Sequence, residues 1–458
     1  MNTTASKNGS AHATTALSPG ERLAQLNPRR AMGHLDLLAR KLVNYENSDV
    51  WDMDTATLPA PLAEYRTRMR NFAQKHIKPH ALTLDQKKDP ELLDNIFKAA
   101  AHEDIFADFL PLPFGNGRLD VAVHPLPLFF SLKAEELCAG CGGIGLAMLA
   151  HGLGIAPIVL SGDMAAAMRF LPRILRRPTG NDMPAIAAYA ITEPAAGSDV
   201  EESHGASTYR PGTVARRVPG GWLLNGRKVF ISGADIAQYI STFAALENEG
   251  MESWTLFLVE KQFAGFTLGR SEKKMGQRAS SACELIFENV FVPDDHVIGG
   301  LRNGWAINRA VLNYSRIPVG AIALGIARGA LEVAMVFASG KRLGNKRLIE
   351  HQEVQLTLAQ MMIQTSAMRA MVWESARNWT ARQYRASATK VFCSDTAVDV
   401  CRQAMQLVGN DGSTAAALAD KAWRDARLTQ IYEGTNQINR LAVIEDQWEE
   451  LESAGFKS

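Results

Sequence analysis

Two short segments of the chain carry residue types with an evident chemical use. The first is Gln430-Ile431-Tyr432-Glu433-Gly434-Thr435-Asn436-Gln437-Ile438, which sets one carboxylate between an aromatic residue and a glycine just after an apolar position. Aromatic and apolar neighbours strip hydration from a carboxylate, which raises its pKa and makes it a better base near neutral pH. Taken alone, such a glutamate is more often a helix-capping or solvated residue. The second segment runs Ala188-Tyr189-Ala190-Ile191-Thr192-Glu193-Pro194-Ala195-Ala196-Gly197-Ser198-Asp199-Val200, an apolar strand entering a turn of small residues. Small residues let backbone N–H groups approach a flat or anionic ligand, and Thr192 and Ser198 add hydroxyls that donate or accept. On those grounds a plain strand-end turn explains the segment equally well.

Other reactive residue types point elsewhere. Cys138 and Cys141 form a CxxC spacing, but no second CxxC completes a tetrahedral zinc site, and two small core residues beside Gly140, Gly142 and Gly143 are the simpler account. His76 and His80 enclose Pro79 and lack a nearby third ligand. Five cysteines without a dense framework fit a reducing compartment, so a cytoplasmic location is expected, with the mitochondrial matrix as the alternative. With 47% apolar residues, 21% charged residues and a net charge of +1, the composition is that of a folded globular protein and gives no electrostatic pull toward nucleic acid.

The 458 residues correspond to roughly three domains of about 150 residues each. Residues 1–20 are rich in Ser, Thr, Ala and Asn with Lys7 the sole charge, and read as a mobile leader; a transit peptide would carry arginines earlier than Arg22. Residues 21–60 add a helical extension, with Asn27-Pro28 as an N-cap and Leu35, Leu38 and Leu42 at helical spacing. Residues 61–186 read as an α-helical domain interrupted at Pro111 to Gly117. Its longest apolar stretch, Ile144 to Leu160, contains Pro157 and three glycines and is expected to form a buried helix pair rather than a membrane span. Residues 187–302 read as a β domain, where Asn225-Gly226 signals a hairpin turn between Trp222-Leu223-Leu224 and Val229-Phe230-Ile231. Residues 303–448 return to helices, with Gly320, Gly325 and Gly329 spaced for close helix packing, and 449–458 form an acidic tail.

Taken together in this order, the two segments and several others resemble the acyl-CoA dehydrogenase family from about residue 60 to 448. The resemblance covers Thr192-Glu193-Pro194 to Gly197-Ser198-Asp199, Leu224-Asn225-Gly226-Arg227-Lys228-Val229-Phe230-Ile231-Ser232 and Lys274-Met275-Gly276-Gln277-Arg278. It continues through Glu284 to Pro293, His351-Gln352, Gln406-Leu407-Val408-Gly409 and Tyr432-Glu433-Gly434-Thr435. It implies a mainly α fold: an N-terminal helical domain, a middle β-barrel-like domain and a C-terminal four-helix bundle, with FAD held where they meet and usually across a subunit interface.

Carried over, the resemblance lays Tyr189, Ile191, Thr192, Gly197 and Ser198 along the isoalloxazine, with Ser198 also touching CoA, and covers the ring's other side with Phe230, Ile231 and Ser232. From a neighbouring subunit His351, Gln352 and Gln406 to Gly409 would meet the adenosine diphosphate, and Thr435 and Gln437 would approach the cofactor again. Asn313, Ser315, Arg316 and Gly434 fall at the acyl-CoA contacts. Glu433 matches the base of the short- and medium-chain branch, removing the α-proton of an acyl thioester while hydride leaves for flavin N5. The implied partners are an acyl-CoA, an electron-transfer flavoprotein and further copies of the chain in a homotetramer or homodimer.

Three departures stand out. Phe230 replaces a frequent tryptophan. Gly340-Lys341-Arg342-Leu343-Gly344-Asn345 replaces Arg-x-x-Phe-Gly and leaves open whether Lys341 or Arg342 reaches the pyrophosphate. Asn410-Asp411-Gly412-Ser413 replaces a glycine-rich turn near the adenine, with Asn410 among the expected contacts. Glu433 argues against an oxidase or monooxygenase of the same fold, and the acidic ending Trp448 to Ser458 argues against a DNA-binding relative, since counterion release would be weak. Glu136, Ala139 and Gly140 are candidates for the base of the acyl pocket, with helix packing as the equal alternative.

Overall fold

The computed structural model describes residues 49–200 and 203–453. The leader and the Leu35-Leu38-Leu42 helix therefore lie outside the described residues. Contacts divide the chain into residues 1–59 and 60–458. The described part of the first unit is helix α1 (Val50–Thr55), capped by Asp49, whose Oδ1 accepts from the Trp51 N–H at 2.9 Å.

The second unit begins with helices α2 (Ala60–Phe72), α3 (Ala81–Gln86), α4 (Pro90–His102), α5 (Leu119–Ala122), α6 (Leu126–Gly140), α7 (Gly142–Leu160) and α8 (Met164–Ile174). Local chemistry starts them. Asp89 accepts from the Leu92 N–H with Pro90 in the first turn, and Asp163 accepts from the Ala166 N–H at 2.9 Å. The apolar stretch expected as a helix pair is instead the single helix α7, because Pro157 lies within four residues of its end and little of the backbone ladder is lost. Helix α7 rests directly on the first strand: a Cβ on Gly154 would meet the Ala187 carbonyl carbon at 2.5 Å.

That strand, β1 (Ala187–Ala190), lies parallel to β4 (Tyr239–Leu246) and joins a sheet with β2 (Val214–Val218), β3 (Gly221–Ser232), β5 (Thr255–Glu260), β6 (Phe266–Ser271), β7 (Ala282–Pro293) and β8 (Val297–Ile298). The order is β6-β7-β3-β2-β4-β5-β8, with β1 on β4. The short helix α9 (Ser203–Thr208) precedes β2.

The hairpin expected at Asn225-Gly226 is a correction. β3 runs unbroken through both residues, and the turn between β2 and β3 falls at Pro219-Gly220. The Asn-Gly pair instead makes a bulge. The register against β7 shifts between Leu224 and Gly226, Gly226 takes φ 143°, and a Cβ there would meet Thr213 Cα at 2.5 Å. The Asn225 side chain then accepts from the Asn289 N–H at 2.9 Å, so the residue serves the opposite strand rather than a turn.

The remaining helices, α10 (Gly304–Gly340), α11 (Gln352–Ala376), α12 (Gln383–Val408) and α13 (Thr414–Leu428), pack together, and α14 (Asn436–Ser453) follows. The glycine spacing on α10 is used as expected: a Cβ at Gly325 would stand 2.4 Å from the Glu135 carbonyl oxygen, and one at Gly329 2.6 Å from that of Ala139. Helices α7 and α10 are long and apolar enough to cross a bilayer, yet both are mostly buried inside the fold.

Candidate active site

Strand β1 delivers the first segment. Its four residues are all buried, and the chain turns at Thr192. Buried Lys228 of β3 fixes that exit by donating to the Ile191 carbonyl at 2.9 Å and to Glu193 Oε1 at 2.8 Å. Glu193 also accepts from the Tyr209 hydroxyl at 2.7 Å and the Gly212 and Thr213 N–H groups. These donors and the ammonium outweigh burial and hold its carboxyl below the ordinary range. Glu193 thus anchors the turn, a task its place in the motif did not reveal.

One residue past Lys228, the Val229 N–H donates to the Thr192 carbonyl at 2.9 Å. Thr192 and Phe230–Ser232 are thereby brought side by side. The β3 register shifts between Lys228 and Ile231, and Phe230 adopts φ 62° with 57% of its surface exposed. A bulky residue in the left-handed region is strained, and such strain gathers at functional sites. Ile231, the next residue, is buried. Tyr189, expected along the same ring, turns its side chain into the core, where its hydroxyl donates to Asn308 Oδ1 and its ring meets Phe243 edge-on. Half-buried Thr192 and Ser198, half-buried Ser232 and the exposed Phe230 face offer hydroxyls around an aromatic surface, which fits a flat heteroaromatic ring with polar edges.

The second segment closes the site. The Thr435 N–H donates to Ser198 Oγ at 3.0 Å, tying the two motifs together across 237 residues. Glu433 takes φ 55° and Gly434 φ 79°. The Ser315 hydroxyl on α10 donates to Glu433 Oε2 at 2.6 Å. Burial pushes the Glu433 carboxyl above its ordinary value, against the opposing pull of the Ser315 hydrogen bond and of the Arg316 and Lys390 charges.

Glu433 opens on a cavity of about 130 Å³ between α6, α7 and α10, walled by Phe130, Leu149, Leu153, Tyr314, Val319 and Ile322 among others. It is the sole carboxylate among the lining residues, and Ser232 lines the same space. Tyr432 joins them, held by Gln277, whose Nε2 donates to the phenol oxygen at 3.2 Å. Phe130 and Tyr314 escaped the sequence reading because helical spacing marks them only as core, and the cavity exists only once three helices are packed.

Several expected contacts are placed differently. Arg316 is only 2% exposed and lies beneath the loop, its Nε donating to the Glu433 carbonyl at 3.3 Å and its Nη1 to Ser387 Oγ at 3.1 Å. It holds the loop rather than facing the cavity. Asn313 is half-buried, and Gly434 is buried. Glu136, a candidate for the pocket base, pairs with Arg66 at 2.9 Å and Arg328 at 2.6 Å, while Ala139 packs on Gly329 and Gly140 on Ile77. Gln437 is exposed on the first turn of α14.

The remaining set sits elsewhere. Lys341 pairs with Asp411 at 3.3 Å, which puts Lys341, Arg342, Gln406, Gly409 and Asn410 at one end of the bundle, and the Lys341 carbonyl accepts from the Leu348 N–H just before His351 and Gln352. Lys390, which touches Gly434, and Val408 are 18 positions apart on α12, roughly 27 Å at 1.5 Å per residue. One chain therefore does not bring these residues to Glu433. His351 Nε2 is buried with no hydrogen-bond partner among the described residues, so a polar group of FAD would satisfy it there.

The family models described as acyl-CoA dehydrogenase N-terminal, middle and C-terminal domains match residues 62–177, 188–290 and 302–447. A cyclohex-1-ene-1-carbonyl-CoA dehydrogenase of Geobacter metallireducens is 33% identical over 381 residues, covering 82% of this chain and 94% of the relative. The structure of butyryl-CoA dehydrogenase from Megasphaera elsdenii superposes with a TM-score of 0.74 at 27% identity, covering 89% of this chain and all of that one. An acyl-CoA dehydrogenase from Bacillus anthracis complexed with FAD gives 0.75 at 25% identity, over 87% and 68% of the two chains.

Proposed function

Since the chain belongs to the acyl-CoA dehydrogenase family and is therefore an FAD-dependent enzyme acting on acyl-CoA, we propose that Glu433 is its base and that the substrate carries a compact acyl group. The observation that carries this reading is the lone carboxylate, at positive φ, opening on an apolar cavity. Its Oε2 is fixed by Ser315, which leaves Oε1 to accept the α-proton. Apolar walls keep the carboxylate weakly hydrated, and a bound acyl chain completes the exclusion of water. FAD supplies, when bound, the acceptor for the β-hydrogen that leaves as hydride, so that a trans-2-enoyl thioester results. Thr192, Ser198, Phe230, Ile231 and Ser232 are the residues that would hold its ring.

The bundle-end residues lie too far from Glu433 to share one cofactor within a single chain, which supports FAD spanning two subunits of a homotetramer or homodimer. In that arrangement His351, Gln352, Gln406, Gly409, Asn410 and one of Lys341 or Arg342 meet its diphosphate side from the neighbouring copy. Electrons leave to an electron-transfer flavoprotein. The walls supplied by Phe130 and Tyr314 favour an acyl group of butyryl or carbocyclic size, as named for the two relatives above.

Replacing Glu433 with Gln tests the assignment. The variant should keep a full complement of FAD but lose α-proton exchange with D2O by about 10²- to 10⁴-fold, the usual worth of a general base. Near-native exchange would remove Glu433 from the role.

A further inference from the structure

The loop bearing Glu433 is held by three side chains from beneath, and they take its carbonyls in sequence. Arg316 Nε and Asn439 Nδ2 both donate to the Glu433 carbonyl at 3.3 Å. Lys390 Nζ donates to the Gly434 carbonyl at 2.7 Å, joined by Asn439 Nδ2 at 2.9 Å. Asn439 reaches the Thr435 carbonyl as well, at 3.0 Å. Lys390 and Asn439 are both fully buried. The second acceptor of the ammonium is Asn436 Oδ1 at 2.7 Å, and Asn436 is itself fixed by Ser394.

Across a trans peptide the C=O of one residue and the N–H of the next point in opposite directions. The Gly434 carbonyl faces Lys390, so the Thr435 N–H faces the other way, and it does reach Ser198 on the site side. By the same rule the Gly434 N–H opposes a carbonyl drawn toward Arg316 and Asn439. Neither the Glu433 nor the Gly434 N–H has an acceptor among the described residues. Two consecutive residues with positive φ do not keep that form unaided where one is a glutamate.

We propose that Lys390 is a positioning residue of the reaction: its buried ammonium locks the left-handed Glu433–Gly434 turn, so that the free N–H groups of the turn meet the thioester oxygen while the carboxylate meets the α-carbon. The proposal rests on Glu433 as the base and adds the element that aims it. Lys390 is buried beneath the loop, away from the cavity lining. Its charge also lowers the Glu433 carboxyl against the effect of burial.

The test compares ligands with and without the carbonyl. Holoenzymes of the wild type, Lys390→Met and Lys390→Arg are titrated with crotonyl-CoA, a thioester, and with S-butyl-CoA, a thioether lacking the oxygen, each followed by the flavin spectrum. Lys390→Met should weaken crotonyl-CoA by about tenfold or more, the cost of a misdirected donor, and leave S-butyl-CoA within about twofold. Bleaching by butyryl-CoA should slow with it, and Lys390→Arg should recover most of the loss. Equal effects on both ligands, or none on either, overturn the proposal. If Lys390→Met yields no holoenzyme, Asn436→Ala removes one acceptor of the ammonium and should give the same ordering at smaller amplitude; an unchanged ligand ratio overturns it. The crotonyl-CoA arm needs no turnover, so a failure of the reaction assignment is seen in the wild type's response to butyryl-CoA, and a failure of the positioning in the ligand ratio.

Discussion

At the scale of residues, Glu433 is governed by two opposing influences: burial raises its pKa, and the Ser315 hydrogen bond with the Arg316 and Lys390 charges lowers it. Ser315→Ala removes one lowering influence, so the carboxyl should hold its proton to higher pH. The acid limb of the kcat/KM profile should then move alkaline, and a limb that moves acid or stays still would show that Ser315 does not bond the working base. The same balance affects stability. A carboxyl whose folded pKa is raised stabilises the fold below its unfolded pKa and loses that contribution as pH rises through the folded value. Glu433→Gln should therefore melt above the wild type at pH 8, with the gap closing toward pH 4, as read by thermal denaturation of the holoenzymes. The carboxylate, Thr192 and Ser198 were legible in the sequence because each stands inside a contiguous motif. Arg316 was misread as a substrate contact because a sequence does not show which side of a loop a guanidinium occupies; here it goes beneath, to the Glu433 carbonyl.

At the scale of elements, the site depends on close approaches. Helix α10 carries Ser315 and reaches α6 because Gly325 and Gly329 leave room for its backbone carbonyls. Gly325→Ala would force a methyl group to within 2.4 Å of the Glu135 oxygen. Separating the helices should cost about 1–3 kcal/mol in urea unfolding and lower bleaching activity, since α10 moves with Ser315. An unchanged midpoint would contradict the close packing. This glycine spacing was readable as helix contact, whereas Asn225-Gly226 was not readable as a bulge. The dipeptide tolerates positive φ in a turn or a bulge alike, and only the long pairing of β3 with β7 decides between them.

At the scale of the molecule, the helical domain and the bundle are joined by a buried ion cluster. Arg66 of α2 meets Glu135 at 3.1 Å and Glu136 at 2.9 Å, Arg328 of α10 meets both carboxylates, and Arg369 of α11 meets Glu135 at 2.8 Å. Removing one partner strands a buried charge, so Arg66→Met should lower the unfolding free energy by about 3–5 kcal/mol, measured in urea; a loss below about 1 kcal/mol would mean the cluster relaxes around the gap. The α, β, α order of the chain was legible from its changes in periodicity. The apolar cavity beside Glu433 was not, because its walls come from α6, α7 and α10 and take shape only when those helices meet.

On the proposed function, this cavity holds a compact acyl thioester for dehydrogenation with Glu433 as the base. The measurement that tests it most directly is anaerobic flavin bleaching of the purified holoenzyme against saturated acyl-CoAs from short to long, straight, branched and cyclic, with Glu433→Gln alongside. The proposed function predicts bleaching by butyryl-CoA or a carbocyclic acyl-CoA, falling away with long chains and absent in the variant. A flavin that stays oxidised with every member of the panel, or one bleached equally by the variant, would contradict it.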